Sequence, residues 1–181
     1  MIRFSCNERP VRADDLPAHT TLLEWLRATG RVGTKEGCAE GDCGACTVLL
    51  CEAGGRVRAV DSCLVLLPQV HGRSVLTVEG LAEGEQLHPA QTAMVEALGS
   101  QCGYCTPGFV CAIAEACHRT DLDAPWKLED QIAGNLCRCT GYRPIRDALA
   151  RVAATAPEDA VRLIARAAPA TEEPVAHEGF T

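Results

Sequence analysis

Apolar and polar positions alternate along the first part of the chain in the manner of short, half-buried strands. Residues 2–6 and 10–13 flank a polar turn, and residues 47–51 and 56–62 flank a turn that holds two glycines. Alternation interrupted by a short polar or glycine-rich stretch is typical of a β-hairpin. The pattern therefore predicts two hairpins, with a fifth strand at residues 74–78.

One amphipathic segment interrupts these strands. Thr21 stands three residues before Glu24, the spacing of a capping box at the start of a helix. The apolar residues that follow supply one buried face, and Gly30 ends the segment. We expect this helix to pack on the sheet with Trp25 in the core.

After residue 80 the pattern takes on the period of a helix. Four segments carry it: 88–99, 107–119, 127–133 and 144–155. The chain therefore predicts an α+β protein, with a strand-rich domain at residues 1–80 and a helical domain at residues 81–160. Residues 161–181 are expected to hold the end of the last helix and a flexible tail or linker, because their second half is rich in Ala, Pro and Glu.

Composition and charge exclude several classes of function. The formal net charge is −7, and no basic stripe is present, which argues against nucleic-acid binding. No apolar run approaches the ~20 residues that span a bilayer. The opening MIRFSCNERP is typical of a strand and turn rather than of a signal peptide. We therefore expect a cytoplasmic protein that binds neither nucleic acid nor membrane.

Cysteine is unusually abundant, with twelve in 181 residues. In a reducing compartment such a density indicates metal binding or redox chemistry rather than disulfides. Eight of the cysteines fall into two groups. The other four are expected to pack in the core as small apolar residues: Cys6, Cys51, Cys111 and Cys117.

The first cysteine group has the spacing Cys38-x4-Cys43-x2-Cys46 and is completed by Cys63. Plant-type 2Fe–2S proteins space their ligands in this way. Glycines between these cysteines permit the positive φ and the close backbone approach that N–H bonds to a cluster require. Zinc is the alternative, but paired zinc knuckles are spaced differently. The spacing therefore predicts a 2Fe–2S cluster.

The second cysteine group consists of Cys102-x2-Cys105 and Cys137-x-Cys139, two pairs that stand between predicted helices. A disulfide between residues 137 and 139 would be strained, so both thiols are expected to face a shared ligand. Spacing alone leaves three interpretations open: a second 2Fe–2S cluster, a zinc ion or a thioredoxin-like dithiol. The dithiol lacks the surrounding βαβ pattern.

Three motifs carry a resemblance to a known family. TKEGCAEGDCGACTV, GSQCGYCTPGF and GNLCRCTGYRPI, in this order, resemble the iron–sulfur subunit or N-terminal domain of molybdenum hydroxylases. This family includes xanthine dehydrogenase, aldehyde oxidase and carbon monoxide dehydrogenase, and the motifs are most similar to those of xanthine dehydrogenases. The resemblance covers about residues 1–155. It implies a β-grasp ferredoxin-like domain followed by a four-helix bundle, each with one 2Fe–2S cluster.

The resemblance also assigns the cluster ligands. The cluster on the flavin side would be held by the first group: Cys38, Cys43, Cys46 and Cys63. The cluster on the molybdenum side would be held by the second group: Cys102, Cys105, Cys137 and Cys139. Gln101 and the surroundings of Cys139 would contact molybdopterin, although Gln101 also fits the plainer role of a polar turn residue.

The implied function is electron transfer within a larger enzyme. Electrons would pass from molybdopterin in a large partner subunit, through the two clusters, to FAD in another subunit or domain and then to NAD+. Xanthine or hypoxanthine is the expected substrate of this hetero-oligomer, with aldehydes and N-heterocycles as alternatives. No substrate-converting residue is expected in this chain. Two other classes remain open: a free-standing ferredoxin, which a second cysteine group argues against, and a zinc-stabilised interaction module.

Overall fold

Five strands form a mixed sheet in the computed structural model, which describes residues 1–52 and 55–154. The strands are β1 (Ile2–Cys6), β2 (Arg9–Ala13), β3 (Thr47–Cys51), β4 (Val57–Asp61) and β5 (Ser74–Leu76). Their order across the sheet is β2-β1-β5-β3-β4. Both predicted hairpins are confirmed, and β5 joins them by pairing parallel to β1 and antiparallel to β3. The predicted tail at 161–181 lies outside the described residues.

The first hairpin turns on two residues. Asn7 and Glu8 have φ values of 50° and 67°, the left-handed conformation that a type I′ turn requires at both positions. The Asn7 amide donates to Thr77 Oγ1 at 2.9 Å, and its Oδ1 accepts from the Thr77 N–H at 2.9 Å. The turn is thereby tied to the chain that leaves β5.

The helix α1 (Leu22–Ala28) begins at the predicted capping box. Thr21 Oγ1 accepts from the Glu24 N–H at 3.1 Å, and Glu24 Oε2 accepts from the Thr21 N–H at 2.7 Å. Trp25 is fully buried, and its ring meets that of Phe4 edge-on with centroids 4.9 Å apart. The expectation that Trp25 belongs to the core is confirmed.

Four helices follow the sheet: α2 (Pro89–Glu96), α3 (Thr106–Ala116), α4 (Pro125–Gln131) and α5 (Arg143–Ala153). Two 3₁₀ turns, Leu67–Val70 and Val78–Gly80, flank β5. The predicted helix at 88–99 ends early because Leu98 takes a φ of 54°. The N–H of the next residue, Gly99, then bonds to the Met94 carbonyl at 2.8 Å, which is a Schellman motif. None of the helices in the described ranges is long and apolar enough to cross a membrane.

Strand β3, which lies between β5 and β4, is buried on both faces. Val48 and Leu50 belong to the apolar cluster that contains α1, whereas Leu49 and Cys51 belong to the cluster that contains α3 and α5. Successive side chains of a strand point to opposite faces, so a continuous apolar run suits a strand covered on both sides. The helices therefore share a core with the sheet.

Candidate metal centres

The first cysteine group lies at one end of the sheet. Cys38, Cys43 and Cys46 stand on the loop that leads into β3, and Cys63 follows β4. Because β3 and β4 are antiparallel, the start of one lies beside the end of the other. Cys46 and Cys63 are buried and pack against Leu23 of α1. The fold thus brings the four predicted residues of this group to one place.

Backbone N–H groups in this loop point at cysteine sulfurs. Cys38 Sγ accepts from the N–H groups of Glu40 at 3.5 Å and Asp42 at 3.3 Å, and Cys43 Sγ accepts from the Cys38 N–H at 3.4 Å. The Glu40 N–H foremost, followed by the Cys43 thiol, lowers the pKa of Cys38 to about 7. Hydrogen bonds to the charged form favour it, so this loop favours negative charge on sulfur.

Two glycines let the loop close around these sulfurs. A Cβ at Gly37 would lie 2.8 Å from Cys43 Sγ. Gly41 has a φ of 87°, and a Cβ there would overlap the side chain of Leu64. Neither Gly37 nor Gly41 therefore accommodates a side chain without local strain, as expected for a loop that wraps an iron–sulfur cluster.

The second cysteine group lies where the helices α2–α5 connect. Cys102 and Cys105 stand between α2 and α3, and Cys137 and Cys139 stand between α4 and α5. The thiols meet in pairs, Cys102 with Cys139 and Cys105 with Cys137. The fold thus brings together the four residues that the resemblance assigns to the second cluster. Cys102 and Cys139 are exposed, whereas Cys137 is buried.

Hydrogen bonds also favour charge on sulfur in the second group. Burial raises the pKa of Cys137, but the Thr140 hydroxyl at 3.1 Å and the Thr140 N–H at 3.5 Å outweigh it, and the pKa falls to about 7. Burial, followed by the neighbouring Cys137 thiol, raises the pKa of Cys105 to about 12. Both thiols of this pair ionise together only beside a cation, which a bound metal supplies.

The arrangement of the thiols suits a two-iron cluster. The thiols stand in pairs, and Cys46 contacts Cys63 as Cys38 contacts Cys43. A 2Fe–2S cluster takes four thiolates over two irons, so two pairs with N–H donors around them match its needs.

The remaining predicted residues lie as follows. Gln101 is exposed beside the exposed Cys102. Cys6, Cys51 and Cys111 are buried as expected, and burial raises the pKa of Cys51 and of Cys111 to about 12. Cys117 is only half-buried at the end of α3.

Sequence reasoning missed a direct contact between the two cysteine groups. The buried Asn135 donates from Nδ2 to the Gly44 carbonyl at 2.8 Å. The N–H of Leu136 donates to the Cys43 carbonyl at 2.9 Å. An asparagine beside a glycine is an ordinary turn signal, and nothing in the local pattern points to a partner so distant along the chain.

Two iron–sulfur families match the chain in the order of its cysteine groups. The 2Fe-2S iron-sulfur cluster binding domain matches residues 4–67, and the [2Fe-2S] binding domain matches residues 77–150. Xanthine dehydrogenase 1 of Arabidopsis thaliana is 47% identical in an alignment of 148 positions that covers 77% of this chain and 11% of that protein. The chain therefore spans about a tenth of the length of such curated relatives.

Solved structures of two relatives have the same fold. Quinoline 2-oxidoreductase from Pseudomonas putida 86 matches with a TM-score of 0.73 and 35% identity, over 89% of this chain and 95% of that one. Aldehyde oxidoreductase from Desulfovibrio gigas matches with a TM-score of 0.74 and 34% identity, over 85% of this chain and 17% of that one. These matches confirm the resemblance seen in the three motifs: the chain belongs to the 2Fe–2S iron–sulfur proteins of the molybdenum hydroxylase family.

Proposed function

We propose that this chain is the electron-transfer component of a molybdenum hydroxylase and holds two 2Fe–2S clusters. The first cluster would be held by Cys38, Cys43, Cys46 and Cys63, and the second by Cys102, Cys105, Cys137 and Cys139. The observation that most strongly supports this proposal is that all eight thiols lie in contacting pairs. Each bound cluster supplies reversible one-electron redox chemistry at a potential that its protein surroundings set.

The division into a β-grasp domain at residues 1–80 and a four-helix bundle at residues 81–160 is part of this proposal. A mixed sheet with α1 against it supports the first assignment. Four helices that follow the sheet and meet at the second cysteine group support the second.

The residues of the two sites have different tasks. In the first group, Cys46 and Cys63 are buried, so two of its four thiols are shielded from water. In the second group, the exposed Cys102 and Cys139 open to the surface, where a partner would cover them. We assign that side to the large molybdopterin-binding subunit, with Gln101 and Cys139 against the molybdopterin.

Electrons would then leave by way of the first group to FAD in a partner subunit or domain, and finally to NAD+. The 47% sequence identity to a xanthine dehydrogenase supports xanthine or hypoxanthine as the substrate of the assembled hetero-oligomer. We place this assembly in the cytoplasm. Aldehydes and N-heterocycles remain the alternatives, since relatives named for quinoline and aldehyde chemistry share the fold of this chain.

Metal analysis of the purified protein tests the proposal. We expect about four irons and four acid-labile sulfides per chain, and zinc without sulfide would overturn it. Copurifying chains and turnover of purines, aldehydes and N-heterocycles then test the partners and the substrate. A protein that carries both clusters but copurifies with no large subunit would favour a free-standing ferredoxin.

A further inference from the structure

Asn135 is a buried polar residue that lies between the two cysteine groups. Its side chain is 5% exposed, and it stands two residues before Cys137. The amide Nδ2 donates to the Gly44 carbonyl at 2.8 Å and to Thr47 Oγ1 at 3.0 Å. A residue of the second group's loop is thus hydrogen-bonded to the loop of the first.

The packing around Asn135 leaves no spare room. Gly44 has a φ of 67°, and a Cβ there would overlap Asn135 Nδ2 and the Gly134 carbonyl. A Cβ at Gly108, in the first turn of α3, would overlap the Gly44 carbonyl oxygen. We call the contact of Gly44, Gly108 and Asn135 the junction. Two glycines bring three chain segments together there.

The residues next to the junction connect it to one thiol of each cysteine group. The Leu136 N–H donates to the Cys43 carbonyl at 2.9 Å, and Leu136 is followed directly by Cys137. A path of covalent bonds and one hydrogen bond therefore runs from a thiol of the first group to a thiol of the second. Asn135 precedes Leu136, so its amide fixes the backbone that carries this hydrogen bond.

We propose that Asn135 is a positioning residue for electron transfer between the two thiolate sites. Its amide holds the loops at one separation and keeps the hydrogen bond from Leu136 to Cys43 in place. The inference rests on the proposed function, since it requires both clusters. One electron leaves the second site, which is oxidised, and reaches the first, which is reduced, and no bond is made or broken.

Only a donor suits the position of Nδ2. The Gly44 carbonyl is an acceptor, and the hydroxyl hydrogen of Thr47 is directed to the same carbonyl at 2.7 Å or to Asp61 Oδ1 at 3.2 Å. In Asn135→Asp an oxygen faces these acceptors, and burial of unpaired oxygens is unfavourable. The loops should therefore separate in this variant.

Gln131 offers a matched control. It is another buried amide, 9% exposed, and its Nε2 donates to the Ala112 carbonyl at 2.8 Å and to Glu115 at 3.0 Å, within the helical part. Gln131→Glu makes the same chemical change as Asn135→Asp without touching either cysteine loop.

The test compares the two variants with the wild type in the complex as it purifies. It measures iron and sulfide content, the rate of intramolecular electron transfer after rapid one-electron reduction, and the spin–spin interaction of the two reduced clusters in electron paramagnetic resonance. We expect Asn135→Asp to hold both clusters, to transfer electrons roughly tenfold to a hundredfold more slowly, and to show a weaker spin–spin interaction. Gln131→Glu should match the wild type in both readouts.

Each other result has a defined meaning. If Asn135→Asp retains the wild-type rate and spin–spin interaction, the positioning role is wrong. If Asn135→Asp loses a cluster, the test is repeated with Gly108→Ala, whose Cβ pushes the Gly44 carbonyl away while the Asn135 amide remains. If Gly108→Ala leaves the spin–spin interaction unchanged, or also loses a cluster, the inference is wrong. Absence of the two clusters from the wild type refutes the proposed function instead.

Discussion

Gly44 follows Cys43 in a left-handed backbone conformation that is costly for any residue with a Cβ. The space for a Cβ is also taken by Asn135 and by the Gly134 carbonyl. We therefore expect Gly44→Ala to lower the free energy of unfolding by more than about 1 kcal/mol. Denaturant unfolding of the metal-loaded protein measures this change.

Gly134→Ala is the control for this prediction. Gly134 lies in the facing loop, a Cβ there meets nothing within 4 Å, and its φ is not positive. Its substitution should change stability by less than about 0.5 kcal/mol. Equal losses in the two variants would contradict the role assigned to Gly44.

His118 should make stability depend on pH. Both of its ring nitrogens are buried and without a hydrogen-bond partner within the described residues, and burial lowers its pKa. Since an unfolded histidine has a pKa of about 6.5, the unfolded chain takes up this proton first as the pH falls. The folded state therefore loses stability below that value and retains it above.

The variant His118→Gln isolates this effect because glutamine does not titrate. Thermal unfolding at about pH 8 and about pH 5.5 should show a smaller fall in the midpoint for the variant than for the wild type. A fall of the same size in both proteins would place the pH dependence elsewhere.

At the scale of single residues, the sequence predicts contacts that are local and misses those that are distant. Thr21 and Glu24 could be paired from the sequence because a capping box closes within one helical turn. Asn135 and Gly44 could not, because 91 positions separate them and either residue fits an ordinary turn. The two sets of four cysteines could be predicted from spacing and from the three family motifs, but the contacts between individual thiols, such as Cys102 with Cys139, could not.

At the scale of elements, the capping box makes α1 a testable unit. Thr21→Ala removes the acceptor of the Glu24 N–H, so we expect a loss of about 1 kcal/mol in the free energy of unfolding. The same change at the exposed Thr120 should cost less than about 0.5 kcal/mol. If the two substitutions cost the same in chemical denaturation, the cap does not stabilise this helix.

Element boundaries and partners were less predictable than element types. The end of α2 escaped prediction because Leu98 takes the left-handed conformation that glycine usually occupies in a Schellman motif. The parallel pairing of β5 with β1 was not predicted either, because an alternating pattern indicates a strand but not the strand that it pairs with.

At the scale of the whole molecule, the two cysteine groups should be loaded separately. Cys43→Ala and Cys137→Ala each remove one proposed ligand from one group, so each variant should keep about two of about four irons per chain. Cys111→Ala, in the core of α3, should keep all of them. Iron and sulfide analysis measures the contents, and loss of all iron from either ligand variant would show that the groups assemble together.

The burial of β3 on both faces has a consequence for how the chain can be divided. A fragment that ends at residue 80 would leave Leu49, Cys51 and Leu76 without the helices that cover them. Exposed apolar surface of this kind promotes aggregation. Because the two parts share this core, we expect them to melt in one cooperative transition, and we expect the strand-rich part not to fold as a protein of its own.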